Sequence, residues 1–596
     1  MLRQIVLRDP AAAQWLFFRS PVEVLMAERP TDVPEIIAEA ERRVQEHELY
    51  AAGFVTYEAS PAFDNAFVTK AGAVLPPACF GLFATPRSTQ RLEDAIPPAA
   101  HEPWRMSVER DDYRRAIAAI REQIALGNTY QVNFTVRQRA SGIRDPWALF
   151  ANIAADAPYA AFIECEDHAI VSASPELFFH LDGDRLTCKP MKGTAARGLT
   201  LEADNRQREA LRESEKNRAE NVMIADMLRN DMGRVAVPGT VVPGAMFDIE
   251  KYPTVWQMTS TLTASTRASV GAIFAALFPC ASVTGAPKVA SMRLIAALEK
   301  SPREIYTGAI GFMAPARKAR FSVAIRTAWI DRRTRQGTYG VGGGIVWDSD
   351  ADGEYAECLD KAKVLSAGAR RRGFRLLESL LWTPGEGWFL RDEHLGRMRD
   401  SAAYFDFPFD LEAAKREIDR FARELPARPC KVRVQLHREG RLTLSHDELA
   451  DAPSGSMLRL AMAREPVDKS DPFLYHKTTE RSAFDQARQG VGECDDVLLW
   501  NREREITEST IANVVVRLGG RLLTPPVECG LLPGTFRAKL LREGSIAEAK
   551  VSLEQLDQVE EIFLVNSVRG WMPCRLVPDP RAPERPLTGG RSRAGG

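Results

Sequence analysis

Asn128–Arg137 (NTYQVNFTVR) and Glu215–Leu228 (EKNRAENVMIADML) between them decide the fold class. The first alternates β-branched and polar residues with the period of a strand; the second repeats apolar residues at the spacing of a helix. Working outward, Asp111–Ala125 reads as a second helix, with apolar residues three and four apart. Ala169–Ser172 and Glu176–Leu181 read as strands around a Ser-Pro turn. Ala309–Met313, Phe321–Ile330 and Tyr339–Trp347 also read as strands, and Tyr355–Leu365 as a helix. Helices and strands mix without a regular βαβ period, which predicts an α+β chain rather than a doubly wound sheet.

The chain has 596 residues, with 79 Lys+Arg against 80 Asp+Glu and a net charge of −1. A length of several times about 150 residues predicts more than one domain. Apolar residues make up 45% and charged residues 27%, a globular composition that buries a core without staples. Near-neutral charge argues against a dedicated nucleic-acid binder. Nine scattered cysteines without a CxxC pair predict reduced thiols rather than a disulfide framework. The opening Met-Leu-Arg-Gln-Ile-Val lacks the pattern of a signal peptide, and no apolar run reaches membrane-spanning length. A cytoplasmic protein that does not enter a membrane is the expectation.

The texture changes at Ser366–Gly373 (SAGARRRG), after which a new apolar pattern starts at Phe374–Trp382. The expected organisation is a first domain over 1–366, a second over 373–576, and a disordered Pro/Arg/Gly-rich tail over 577–596.

Several side chains stand out by type and spacing. Glu220 sits on one predicted helix, while Glu354 and Glu357 share a face of another. Carboxylates from separate elements suit Mg²⁺, although solvated helix faces show the same spacing. No histidine occurs between His180 and His394, which excludes an imidazole-ligated metal over that stretch. Gly342-Gly343-Gly344 follows a strand pattern and reads as a tight turn or as a set of amides exposed to an anion.

Taken in order, Asn128–Thr135 (NTYQVNFT), Ser172–Phe178 (SASPELF), Pro190–Gly198 (PMKGTAARG), Ala219–Arg234 (AENVMIADMLRNDMGR), Ser282–Lys288 (SVTGAPK), Tyr306–Phe312 (YTGAIGF), Ile325-Arg326-Thr327 and Gly342–Lys361 resemble the chorismate-utilising enzymes. That resemblance implies an anthranilate-synthase-like α/β sandwich for the first domain. Within the family, Lys192 stands where anthranilate and isochorismate synthases carry alanine, and it matches the lysine nucleophile of the aminodeoxychorismate synthases. In that chemistry the lysine attacks C2 of chorismate as the 4-hydroxyl leaves, and ammonia then enters C4 and expels the lysine. Gln131 stands where water-adding members carry a lysine base. A glutamine cannot take a proton from water, so it points to ammonia as the incoming nucleophile.

The same resemblance implies that Glu220 and Glu357 bind Mg²⁺, with Glu354 reached through water. It implies that Gly193, Thr194, Tyr306, Arg326, Gly342, Gly343, Gly344 and Lys361 hold the substrate, a role for which the planar fork of Arg326 is suited. Two departures stand out. Asn217 replaces a second acidic residue three positions before Glu220, and the stretch before Phe278-Pro279 lacks the histidine of anthranilate synthases.

In the second half, Leu390–Arg397 (LRDEHLGR), Tyr475–Arg481 (YHKTTER), Ile506–Asn513 (ITESTIAN), Gly530–Arg537 (GLLPGTFR) and Val565–Gly570 (VNSVRG) resemble fold-type IV pyridoxal phosphate enzymes. The resemblance implies an α+β domain in which Lys477 carries the cofactor, Glu508 faces its pyridine nitrogen, and Arg397, Thr535 and Ser567 hold its phosphate. Phe536 stands where many relatives have threonine, and the usual opening motif is reduced to Arg372-Gly373-Phe374. Asn566–Gly570 has the lyase-like form. The two halves together resemble fused proteins that make 4-aminobenzoate for folate biosynthesis. A type IV aminotransferase of other specificity, or a degenerate regulatory second half, are the alternatives. No amidotransferase signature is present, so a separate glutaminase subunit is the expected source of ammonia. The second domain suggests a homodimer.

Overall fold

Gln131–Ala140 forms a strand buried along nearly its whole length, because both its faces are covered. It lies in the first of two units seen in the computed structural model, which describes residues 2–92, 101–154, 157–365, 373–449, 457–489 and 491–577. One unit comprises Met1–Arg197 with Gln207–Arg371, and the other Gly198–Arg206 with Arg372–Gly596. The start of the helix Leu201–Glu213 therefore groups with the second unit. The expected linker and tail fall largely outside the described residues.

Two large antiparallel sheets build the first unit. In the first, Gln131–Ala140 pairs with Gln336–Ile345, which continues through Thr327–Asp331 and His168–Ser174 to Tyr159–Cys165 and Leu2–Asp9. The second centres on Leu177–Asp182, Lys318–Val323, Ala309–Ala314 and Tyr50–Val55. Ile5, Leu7 and Phe18 of one sheet meet Phe54, Phe83 and Ile310 of the other in a dry seam. Helices cover the outer faces. Tyr113, Ile117 and Ile120 of Arg110–Ala125 pack on Phe134 and Val136, and Ile37 and Phe274 pack on Phe179 and Phe321 across the other sheet. The α/β sandwich is thus made, with apolar stripes on helices matched to apolar sheet faces.

Two local expectations fail. Phe321–Ile330 is not one strand: it breaks at Ala324–Arg326, where Arg326 takes a left-handed φ of 50°, and the chain passes from one sheet to the other. An apolar run hides that switch, because both halves are buried. Gly342–Gly344 is not a turn. All three lie inside Gln336–Ile345, opposite Thr135, Phe134 and Asn133. A methyl on Gly342 would come within 2.2 Å of the Phe134 carbonyl oxygen, so glycine serves close strand approach there.

In the second unit, Leu376–Thr383 centres a four-stranded sheet under the helices Arg391–Phe405 and Leu411–Ala422. Beyond it, Ile506–Ser509, Asp496–Trp500, Leu458–Met462, Gly570–Leu576, Glu561–Asn566 and Asn513–Leu518 pair in sequence. Ile506–Ser509 also pairs with Asn513–Leu518, which closes the ring. Val497, Leu498, Val514 and Leu564 fill its core. Among the described residues no helix is long and apolar enough to cross a membrane, and all nine cysteines are free.

Candidate active sites

Lys192 lies on the strand Met191–Ala196, and its carbonyl accepts a hydrogen bond from Asn221 Nδ2 at 3.0 Å. Asn221 is buried on the helix Glu215–Gly233, beside Glu220, whose Oε2 stands 3.1 Å from Lys192 Nζ. Gly193 follows with a φ of +99°, which lets the chain turn under the amine. Gln257 braces this turn from the next strand, donating to the Gly193 carbonyl at 2.8 Å and accepting from Thr194 Oγ1 at 2.9 Å.

Gln131 approaches from the other side. It is 1% exposed, and among the described residues neither polar atom of its amide has a hydrogen-bond partner. A buried amide without partners carries a cost of about 1–3 kcal/mol, which binding of a polar ligand would repay. Gln131 and Lys192 meet over Gly344: a methyl added there would lie 2.6 Å from Gln131 Nε2 and 2.7 Å from Lys192 Nζ. Next to it, a methyl on Gly343 would lie 2.9 Å from Glu354 Oε2. Replacing Gly344 with alanine is expected to leave folding intact, since only side-chain ends need move. Any reaction that uses both groups is expected to fall by about 100-fold through their misplacement, as compared by melting curves and product formation.

The helix Ala351–Ala362 brings Glu354, Glu357 and Lys361 to the same strand. Lys361 Nζ donates to the Gly342 carbonyl at 2.8 Å and pairs with Glu357 Oε1 at 2.9 Å. Glu354 Oε1 accepts from Ser349 Oγ at 2.8 Å; burial and the neighbouring Glu357 raise its pKa. Among the described residues no group of three His, Cys, Asp or Glu side chains is already set for a metal. Glu354 and Glu357 repel one another across one helix face, and these two carboxylates and that of Glu220 are hard oxygen donors of the kind Mg²⁺ takes.

Tyr306 is buried, and its ring lies against Gly340, where a Cβ would come within 2.1 Å. Arg326 is half-buried, its guanidinium 5.9 Å from the Tyr252 ring. Behind the strand Gln131–Ala140 stands an ionic cluster not singled out by its sequence. Glu299 accepts from Thr135 N, Thr135 Oγ1 and Arg303 Nη2 through Oε1, at 2.9, 2.8 and 2.7 Å, and pairs with Arg137 at 3.4 Å. Arg303 also donates to the Asn133 carbonyl at 2.7 Å, fixing the residue opposite Gly344. Removing Glu299 would leave two buried guanidinium groups without their shared partner. Glu299→Ala is expected to lose about 3–5 kcal/mol of stability in denaturant unfolding.

In the second unit, Lys477 is half-buried, and its desolvation, aided by Arg397, lowers its pKa to about 8. Glu508 accepts from Leu532 N at 3.1 Å and Asn513 Nδ2 at 3.2 Å, and burial pushes its pKa up to about 8. Arg397 grips Glu378 with two hydrogen bonds, at 2.8 and 2.7 Å, and reaches the Pro533 carbonyl at 3.0 Å. Ser567 Oγ and Thr535 Oγ1 both stand on His394 Nε2, at 2.9 and 3.1 Å. Glu378 and His394 escaped the sequence reading. The available signal was His394 lying three residues before Arg397, on one helix face.

The half-buried amine, the buried acid and the hydroxyl pair with an arginine match what pyridoxal 5′-phosphate needs: a carbonyl-reactive amine, a partner for a protonated ring nitrogen, and phosphate donors. Comparison with known proteins gives the context. Residues 3–367 match the chorismate binding enzymes. The chain belongs to that family. Residues 375–577 match the class IV amino-transferases, a pyridoxal-phosphate-dependent fold. Among curated relatives of this chorismate binding enzyme, aminodeoxychorismate synthase component 1 of Salmonella typhimurium is 38% identical over 278 residues, 46% of this chain and 61% of that one. Aminodeoxychorismate synthase of Streptomyces griseus is 39% identical over 268 residues, 44% of this chain and 37% of that one. The chain thus spans less than two thirds of either relative. Anthranilate synthase component I of Streptococcus pneumoniae shares the fold, with a TM-score of 0.52 at 21% identity over 61% of this chain and 92% of that one.

Proposed function

We propose that the first unit aminates chorismate at C4 to 4-amino-4-deoxychorismate, and that the second converts this product to 4-aminobenzoate and pyruvate. The observation that carries the first step is the meeting of Lys192 Nζ and the partnerless Gln131 amide over Gly344. Lys192 attacks C2 as the 4-hydroxyl departs; ammonia then forms the C4–N bond and the C2–N bond to Lys192 breaks. Gln131 carries no basic group, so it orients a nucleophile that needs no activation, which favours ammonia over water. Glu220 and Glu357 would hold Mg²⁺, with Glu354 in support, and the ion would neutralise a substrate carboxylate and orient the ring. Arg326, Tyr306, Lys361, the Gly193–Thr194 turn and the Gly342–Gly344 strand face the substrate. Ammonia comes from a separate glutaminase subunit docked on the first unit, in line with the "component 1" designation of the Salmonella relative.

In the second unit, Arg397, Thr535 and Ser567 would hold the phosphate of pyridoxal 5′-phosphate, and Glu508 would face its ring nitrogen and favour the protonated form. When bound, the cofactor supplies an electron sink for a carbon that loses its proton. Lys477, whose pKa of about 8 leaves part of its population neutral, moves the C4 proton of the aminated substrate. Loss of pyruvate then aromatises the ring.

The deciding experiment incubates the whole chain with chorismate, ammonium, Mg²⁺ and pyridoxal 5′-phosphate and separates the products by chromatography. Release of 4-aminobenzoate with pyruvate supports both steps. Accumulated aminodeoxychorismate would assign the second unit to another amine substrate, and anthranilate would overturn the role given to Lys192.

A further inference from the structure

A buried polar chain runs behind the hydroxyls of Ser567 and Thr535. Glu378, on Leu376–Thr383, sits between two residues of the helix Arg391–Phe405. Its Oε2 lies 2.6 Å from His394 Nδ1 and 2.7 Å from Arg397 Nη2. The other ring nitrogen of His394, Nε2, receives both hydroxyls. Glu378, His394, Ser567 and Thr535 are all buried.

Burial would raise the pKa of Glu378, but Arg397 and His394 override it and hold the carboxyl at about 2. An ionised carboxylate only accepts, so His394 Nδ1 carries the ring proton. In the neutral ring, Nε2 is then a bare lone pair, and a hydroxyl bonds to it only by turning its O–H toward the ring. Turned that way, the hydroxyls present lone pairs to an incoming phosphate. In the imidazolium, Nε2–H donates to the hydroxyl oxygens instead, and both O–H groups are released to donate to phosphate oxygens. Charge leads to the same place. Glu378 and Arg397 cancel, so a neutral His394 leaves the cluster uncharged before a phosphate dianion, whereas a protonated ring adds one positive charge.

We propose that His394 takes up a proton at Nε2 when a phosphate monoester binds at Ser567 and Thr535, which makes it a positioning residue that turns both hydroxyls toward the ligand. The inference rests on the assignment of these hydroxyls as phosphate contacts. Facing the ring are Glu378 from its strand, Arg397 from its own helix and Lys477 from the Tyr475–Arg481 segment. Arg481 and Glu508 act in turn on Lys477. Glu378 favours the added proton; burial, Arg397 and Lys477 oppose it and keep the pKa of the ligand-free ring below its ordinary value. Bound phosphate raises it. This linkage makes phosphate affinity climb as pH falls through the window between the two pKa values, by about tenfold per pH unit for one linked proton, and contributes no pH dependence outside it.

The test titrates pyridoxine 5′-phosphate, which has no aldehyde to bond with Lys477, into the full chain at about pH 7, where the phosphate is mostly dianionic. Calorimetry in buffers of different ionisation heats reads the proton uptake, and imidazole nitrogen spectra read the ring. The expected result is net uptake on binding, with one of the eight histidines shifting from the neutral to the protonated pattern. His394→Gln, which cannot titrate, should bind without uptake and lack that resonance. Binding by the unaltered protein with no uptake and no shifted ring would overturn the proposal while leaving the cofactor assignment standing. No binding at all would overturn both. Should His394→Gln fail to fold, the spectra of the unaltered protein still decide, since a protonated ring appears or does not.

Discussion

On the proposed reaction, replacing Lys192 with alanine is expected to abolish amination of chorismate, with a fall in kcat of about 1,000-fold or more and little change in stability. The size of the loss follows from the role: a covalent nucleophile splits one hard displacement into two, and no neighbouring group replaces it. Its partner Glu220 is a carboxylate, Lys361 is already engaged by Glu357 and the Gly342 carbonyl, and Gln131 is a poor nucleophile. The small cost to folding follows from the contacts. The amine is 18% exposed and makes one ion pair at 3.1 Å, a kind of contact worth about 1 kcal/mol or less. Asn221 holds the Lys192 carbonyl, a main-chain contact that alanine keeps. Product formation with saturating ammonium, beside a thermal melt, reads both effects. A variant within about tenfold of the parent rate would remove Lys192 from covalent catalysis.

On the same proposal, Lys477→Ala is expected to lower release of 4-aminobenzoate by a comparable factor and to leave the first reaction running, so that the aminated intermediate accumulates. Lys477 is the half-buried amine of the second site; its carbonyl accepts from Leu377 N at 2.9 Å, a contact that a side-chain change leaves alone. Arg481 stands near, but its Nη2 donates to the Thr510 carbonyl and a guanidinium does not give up its proton. The variant should also lose the cofactor band that borohydride reduction fixes to the unaltered chain. Unchanged 4-aminobenzoate release would sink the assignment of Lys477, whereas loss of both products would point to a folding defect.

These two lysines could be singled out as candidates because each lies in a short, dense motif that the family resemblance ties to one chemistry. The residues that hold them were not. Asn221 lay inside a quoted motif without a stated role, and its bond to the Lys192 carbonyl joins positions 29 apart. Glu378 reads as an ordinary charge in a strand pattern; its bonds to His394 and Arg397 are visible only when the helix is laid on the sheet. The Gly342–Gly344 misreading has the same root. A run of glycines is locally a turn signal, and its use as a flat stretch of strand comes from Phe134 and Thr135 across the ladder.

The sequence by itself determined the helix and strand periods and the mixed α+β class, because side-chain period is a property of neighbouring residues, and its family resemblance singled out Lys192 and Lys477 as candidate amines. Only the tertiary structure decided where Phe321–Ile330 breaks, that Gln131 and Lys192 meet over a residue more than 150 positions away from either, and that Ser567 and Thr535 share one ring nitrogen of His394. Those facts are distances between groups far apart in the chain. They are set by the packing of two sheets and their helices, which no local pattern contains.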